Sequence, residues 1–354
     1  MEFGLSEEQN LLVDSVHRFL DSTAQLPRVR RFAEEGNDSD LWQGLVDLGI
    51  SGLLVPESRG GVSLGFVEAA LVAELLGKHV TPSPFLGTAV LMPALLNQVD
   101  PDSSLLDEII AGTLRCGIGL AEANGARLGA ALIERNGKLS GRALFVLDAA
   151  ADVFLLADAR HHLYLVDAEA AGLTTRRLAT VDTTRPVVEL TLNNCAATTL
   201  ATDAEAMQRL LDIGRVMLAA DTLGAASNMI EQAVIYAKQR EQFGRAIATF
   251  QAVKHMCAEM AAELEPCRAF VWYAGHALNE LPDEARLTAC HLKAHISEVG
   301  KRIAKTATEV HGGMGFTDLV GLHYWFKRIG FNRQMLGTPE YLRDQAARLQ
   351  GLVA

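Results

Sequence analysis

The residues best suited to chemistry lie between Tyr236 and Met260, in the run YAKQREQFGRAIATFQAVKHMCAEM. Its periodicity predicts a helix that breaks at Phe243-Gly244 and a second helix that begins near Phe250. Gly244 lets the backbone turn at low steric cost, and the break carries Arg240, Glu241, Gln242 and Arg245 beside Phe243. Arg grips phosphate in a fork and stacks on rings, so this break suits a bound diphosphate and its nucleotide. Spacing alone also allows a polar turn between two helices with a solvated Arg. A second stretch of chemical character is EVHGGMGFTDLVGLHYWFKRIGFNRQMLGTPEY, residues 309–341. Its paired glycines, Gly312 and Gly313, permit a close backbone approach that either a helix C-cap or a cofactor could use. His255, His291 and His295 show no spacing that demands a metal, and no metal site is expected.

These residues need a scaffold, and 354 residues suffice for a sizeable core. Apolar residues make up 49% and charged residues 21%, as in ordinary globular proteins. Thirty-two Lys and Arg against 43 Asp and Glu give a formal charge of -11, which argues against general affinity for nucleic acid or anionic membranes. Five Cys without CxxC pairing read as reduced thiols. The start MEFGLSEEQNLL lacks a basic and apolar leader, and apolar runs stop short of a membrane span, so a cytoplasmic protein is expected.

Three segments follow from the patterning. Residues 1–115 read as helical, with a capping box at Ser6 and Gln9 and a helix from Leu41 to Leu48 that stops at Gly49. Residues 116–202 show short alternating stretches such as LSGRALFVL and DVFLLAD, the signature of a small antiparallel β domain. Residues 203–354 return to long amphipathic helices. The expected fold class is therefore α+β, a β domain between two helical ones.

The string RxQFGxxIxxxQ resembles the FAD-gripping segment of acyl-CoA dehydrogenases. HGGxGF…GT from His311 to Thr338 and VPxxxGGxG…ExLG from Val55 resemble that family's other signatures. The resemblance covers essentially the whole chain. It implies FAD held by Arg240, Gln242, Phe243, Gln251, Glu309, Gly312, Gly313 and Thr338, with Glu309 standing where a Gln is usual. It also implies α,β-dehydrogenation of an acyl-CoA thioester to the 2,3-enoyl-CoA, with an electron-transferring flavoprotein as acceptor. A carboxylate base takes the α proton and the β hydrogen leaves as hydride to the flavin.

The departures from that pattern are specific. The family's base is a Glu before the Gly-Thr pair, and this chain has Leu336 before Gly337-Thr338. The alternative seat, a Glu directly before an Arg, reads Gly214-Arg215. The family's TE pair matches Ala121-Glu122, and its K-x-W-I-T strand matches Ala143 to Leu147, whose Leu147 cannot hydrogen-bond a flavin ring. A chain that keeps the adenosine-diphosphate grip but lacks base and ring pocket resembles the companion subunit of heteromeric α2β2 acyl-CoA dehydrogenases of bacterial steroid side-chain breakdown. Its implied partner is a paralogous catalytic subunit, and its implied substrate a bulky acyl-CoA. Asp221, two turns beyond Gly214, could serve as a displaced base or as the partner of a neighbouring cation. Glu340 reads as a cofactor contact or a solvated group. A self-sufficient dehydrogenase, a flavin-dependent oxidase or oxygenase, and a flavin-free assembly subunit are the alternatives.

Overall fold

The structure is a computed structural model, and it describes residues 4–36, 38–121 and 132–353. Eleven α-helices and ten strands are defined among these residues. Helix α1 (Glu7–Thr23) opens on the expected capping box: Gln9 N–H donates to Ser6 Oγ, and Ser6 N–H donates to Gln9 Oε1. Helix α2 spans Leu26–Glu35 and α3 spans Ser39–Asp47, ending just before Gly49. The Pro- and Gly-rich turn then feeds α4 (Phe66–Lys78).

The chain groups into two compact units that cut across the division at 115 and 202. One comprises Met1–Arg31, Ala70–Thr81 and Arg215–Ala354, and the other Phe32–Ala69 and Pro82–Gly214. The first 115 residues are thus shared between both units, because helices gather by where their apolar faces are buried and not by chain order.

The second unit holds α5 (Met92–Val99), α6 (Leu105–Ile110) and an eight-stranded sheet. The strands are β1 (Cys116–Gly119), β2 (Ile133–Arg135), β3 (Lys138–Leu147), β4 (Val153–Ala157), β5 (Leu163–Asp167), β6 (Leu173–Leu178), β7 (Val187–Ala196) and β8 (Thr198–Ala201). Their order is β6-β7-β3-β1-β4-β5-β8, with β2 beside β3. The sheet is not wholly antiparallel, because β1 and β4 run parallel, Cys116 opposite Val153. The reason is topological. Strand β1 sits between β3 and β4, and the short reversal from β3 to β4 crosses over it, so antiparallel pairing with one imposes parallel pairing with the other. Leu139, Val146, Phe154, Leu156, Tyr164, Val188 and Leu190 pack on one another beneath this sheet.

The first unit is helical. Helix α7 (Ala204–Gln239) begins in the second unit and continues here, followed by the short strands β9 (Glu241–Gln242) and β10 (Arg245–Ala246). Helices α8 (Gln251–Glu280), α9 (Pro282–His311), α10 (His323–Gln334) and α11 (Pro339–Leu349) complete it. Helices α4 and α7 cross backbone to backbone: a Cβ on Gly77 would lie 2.0 Å from the Asp221 carbonyl oxygen, and one on Gly224 1.8 Å from that of Glu74. Only glycine permits that approach. Among the described residues no helix is long and apolar enough to cross a membrane.

Candidate functional site

The break after α7 is a β-hairpin. Strand β9 pairs with β10 in the register Arg245 to Gln242 and Ala246 to Glu241. Phe243 and Gly244, with φ of 55° and 75°, form the two-residue turn, and both angles are positive as a type I′ turn requires. This turn presents Phe243 to solvent, 91% exposed. The Arg245 guanidinium lies over the Phe250 ring at 4.2 Å, and the Phe243 ring meets Phe250 edge-on at 6.1 Å. Arg240 and Gln242 are exposed beside it, and Gln251 opens α8. The resumed helix thus starts at Gln251, one residue later than its periodicity suggested.

The paired glycines follow α9. Gly312 takes φ 58° and ψ -139°, a conformation closed to other residues, and its N–H donates to the Glu309 carbonyl. It is therefore a helix cap, yet a Cβ on Gly312 or Gly313 would meet nothing within 4 Å. The loop leaves an open face of bare backbone. Glu309 is exposed at its edge. The buried His311 ring stacks on Tyr236 at 4.6 Å, and its Nδ1 lies 2.7 Å from the Ala307 carbonyl oxygen. Tyr236 is one turn before Arg240, whose N–H donates to the Tyr236 carbonyl at 2.8 Å. One ring stack thus joins the glycine loop to the arm, motifs separated by about seventy residues in sequence.

The two base positions also converge. Leu336 is buried in the turn between α10 and α11 with φ 56°, and Thr338 Oγ1 caps α11 by accepting from the Tyr341 N–H. Arg215, which follows Gly214 in α7, donates from Nε to the Leu336 carbonyl at 3.0 Å and is fully buried. Lys293 of α9 reaches the same turn. Its Nζ donates to the carbonyls of Gly337 at 3.5 Å and Arg333 at 3.4 Å, and to Ser297 Oγ at 3.4 Å. Burial, with the Arg215 and Arg333 cations adding to it, pulls the Lys293 ammonium down to about 7. Where the resemblance places a carboxylate, this chain places a leucine whose carbonyl takes Arg215, in a turn that Lys293 also binds.

Asp221 is the partner of a neighbouring cation in this arrangement. Arg328 donates to it from Nε at 3.0 and 3.2 Å and from Nη2 at 2.7 Å, and Asn332 donates from Nδ2 at 2.6 Å. These four contacts engage both carboxylate oxygens. Glu340 is exposed at the head of α11, and its carboxylate lies 2.9 Å from Arg333, which also pairs with Glu298 at 2.7 Å. Hydrogen bonds from its own backbone N–H and from Thr338, with Arg333 adding, hold its pKa below the ordinary glutamate value.

In the sheet, Ala143 to Leu147 end β3, where a register shift against β7 between Ala143 and Val146 turns Phe145 partly outward at φ 54°. Leu147 pairs with Val187 and with Ile118. Ala121 is described, whereas Glu122 lies outside the described residues. His291 and His295 are exposed on α9, and His255 is exposed on α8 beside Gln251. Sequence reading passed over Lys293 and Arg328. The signal for Lys293 was a lone cation among Ala289, Leu292, Ile296 and Ile303, all buried on α9.

Helices and a mixed sheet, with an exposed Arg- and Phe-bearing hairpin and an open glycine loop, are the features of an acyl-CoA dehydrogenase fold. Profiles of the acyl-CoA dehydrogenase N-terminal and C-terminal domains match residues 6–100 and 204–350. The acyl-CoA dehydrogenase IpdE2 of Mycolicibacterium smegmatis is 30% identical over 99% of this chain and 100% of its own length. Among solved structures, the Tcur3481-Tcur3483 steroid ACAD G363A variant is similar with a TM-score of 0.88 at 28% identity, covering 98% of each chain. The ChsE4-ChsE5 complex from Mycobacterium tuberculosis is similar with a TM-score of 0.90 at 25% identity, covering 100% of each chain. The chain belongs to the acyl-CoA dehydrogenase family, a family of generally FAD-binding oxidoreductases.

Proposed function

We propose that this chain is the base-lacking subunit of a heteromeric acyl-CoA dehydrogenase and completes the FAD site of a catalytic paralogue. The observation that carries the reading is the turn at Leu336, whose carbonyl takes Arg215 while that of Gly337 takes Lys293. Two basic side chains stand where the family pattern would have a carboxylate. Asp221 and Glu340, the nearest alternatives in sequence, are engaged by Arg328 and Arg333.

The adenosine-diphosphate half of FAD fits the residues present. Arg240, Gln242 and Phe243 project from the hairpin, and the bare backbone at Gly312 and Gly313 leaves room for a phosphate to approach. Gln251, Glu309 and Thr338 border this surface in the family pattern, Glu309 as an acceptor in place of an amide. The ring half fits poorly, since Leu147 offers an aliphatic side chain where the ring would need a hydrogen bond. When bound, FAD supplies the acceptor for the β hydrogen of the acyl-CoA. This chain's part is to grip the diphosphate and to exclude water from it. In the family such an arm reaches a neighbouring subunit's flavin, so one working site per pair of unlike chains follows. The likeness to the ChsE4-ChsE5 complex and to a steroid ACAD supports an unlike partner and a bulky, steroid-derived acyl-CoA oxidised to its 2,3-enoyl-CoA. An electron-transferring flavoprotein is the acceptor consistent with the family.

The test is the FAD content of the chain purified alone and then co-expressed with a paralogue encoded beside it. The expected result is little flavin alone and one FAD per pair of unlike chains. One FAD per chain in a lone protein bleached by acyl-CoA would overturn the reading, and a colourless complex would make the chain an assembly subunit.

A further inference from the structure

Helix α1 and the end of α4 bring together three side chains that the flavin chemistry leaves unused. His17 and Asp21 are four residues apart on one face of α1. His79 follows the last residue of α4, and its N–H still donates to the Leu75 carbonyl. The backbone then turns sharply. Val80 N–H donates to Gly77 and Thr81 N–H to Leu76, a helix end whose left-handed residue is the buried Val80, φ 50°. A β-branched residue in that conformation is strained, and the strained turn fixes where the His79 ring stands.

The donor atoms converge. His79 Nε2 lies 3.3 Å from His17 Nδ1 and 3.6 Å from Asp21 Oδ1. All three residues offer a ligand atom within 4.8 Å of the others, the one such group of histidine, cysteine or carboxylate side chains among the described residues. Two ligands about 2.0 Å from a tetrahedral zinc ion stand about 3.3 Å apart, close to both His79 separations, while His17 meets Asp21 through its other nitrogen, Nε2, at 3.5 Å. We propose that His17, Asp21 and His79 bind a divalent transition metal of the zinc class, with a fourth position open to water.

Electrostatics agrees with the geometry. The adjacent Lys78 is neutralised by Glu231 at 2.9 Å, which leaves Asp21 as the local charge. The side chains of His17 and Asp21 are 36% and 60% exposed, giving the ion a path from solvent, while that of His79 is 11% exposed and anchors it. Two imidazoles and a carboxylate favour zinc, copper or nickel over magnesium or calcium. The bound ion would staple α1 to α4.

The test is calorimetric titration of tag-free, EDTA-treated protein with zinc chloride, beside its thermal midpoint with and without zinc. One ion per chain and a midpoint raised by a few degrees are expected. His17→Gln and Asp21→Asn, both at exposed positions, are expected to weaken binding by at least about tenfold each while the apo midpoint holds. The control His295→Gln leaves affinity unchanged. Absence of binding, or binding indifferent to His17→Gln and Asp21→Asn, overturns the proposal.

Discussion

Arg215 Nε and the carbonyl oxygen of Leu336 are 3.0 Å apart, across 121 residues of chain, and both groups are buried. This bond ties one of the family's two base positions to the neighbour of the other. Leu336 holds a left-handed backbone conformation that costs an ordinary residue about 1 kcal/mol, so the turn depends on such ties. Arg215→Ala removes the donor and leaves a cavity. A loss of about 3 kcal/mol is expected, read as a lower urea midpoint at constant m-value. A loss within 0.5 kcal/mol would mean that the turn holds itself.

Asp221→Asn should act on stability and not on turnover. It leaves the Arg328 guanidinium buried opposite a neutral amide, which costs about 3–5 kcal/mol when a buried pair is broken. The assembled complex should keep its rate per bound flavin. A rate lost at full stability would return Asp221 to the role of base.

Lys293 makes stability depend on pH in a defined direction. Its folded pKa is about 7, and its unfolded value is near 10.4, so between these the unfolded chain binds the extra proton. Stability therefore rises with pH across this window, by up to about 1.4 kcal/mol per unit, and the burial penalty is full below pH 7. Wild type measured against Lys293→Met at pH 7 and pH 9 should gain about 2 kcal/mol at the higher pH. Parallel curves for the two proteins would refute it.

Arg240→Ala should remove flavin without unfolding the chain. Arg240 is exposed at the foot of the hairpin, and a charge-assisted contact to phosphate is worth about 1.5–3 kcal/mol. Retained FAD in the co-expressed complex should fall by at least about tenfold at an unchanged thermal midpoint. Undiminished flavin would remove the arm from the cofactor site.

Phe243→Asn separates the cost of the arm from its use. Phe243 is strained at φ 55°, where asparagine is favoured in a type I′ turn, so the chain should gain about 0.5–1 kcal/mol. Loss of the exposed ring should at the same time weaken FAD retention. A chain that becomes more stable and binds flavin as well as before would make Phe243 a surface accident.

Local signals could be read from the sequence because they depend on neighbours a few residues away. The capping box at Ser6 and Gln9, the break at Phe243-Gly244, and the bare glycines at 312 and 313 all depend on short-range backbone geometry. The family followed from the same strings, as did the α+β class. The empty base positions were also legible, since Leu336 and Gly214 cannot take a proton whatever surrounds them.

What the tertiary structure decided is which distant groups meet. The parallel pairing of β1 with β4, the sharing of the first 115 residues between two units, and the Arg328 partner of Asp221 depend on contacts across long loops. Lys293, which no sequence pattern singled out, is set against the Leu336 turn only by the packing of α9. His17 and His79 are 62 residues apart, and no spacing rule joins them. Burial and pairing are properties of the packed interior, where removal of water sets pKa values and decides which polar groups must find each other. The sequence by itself determined the family and the absence of a carboxylate at positions 214 and 336, and packing decided which basic groups meet at the Leu336 turn.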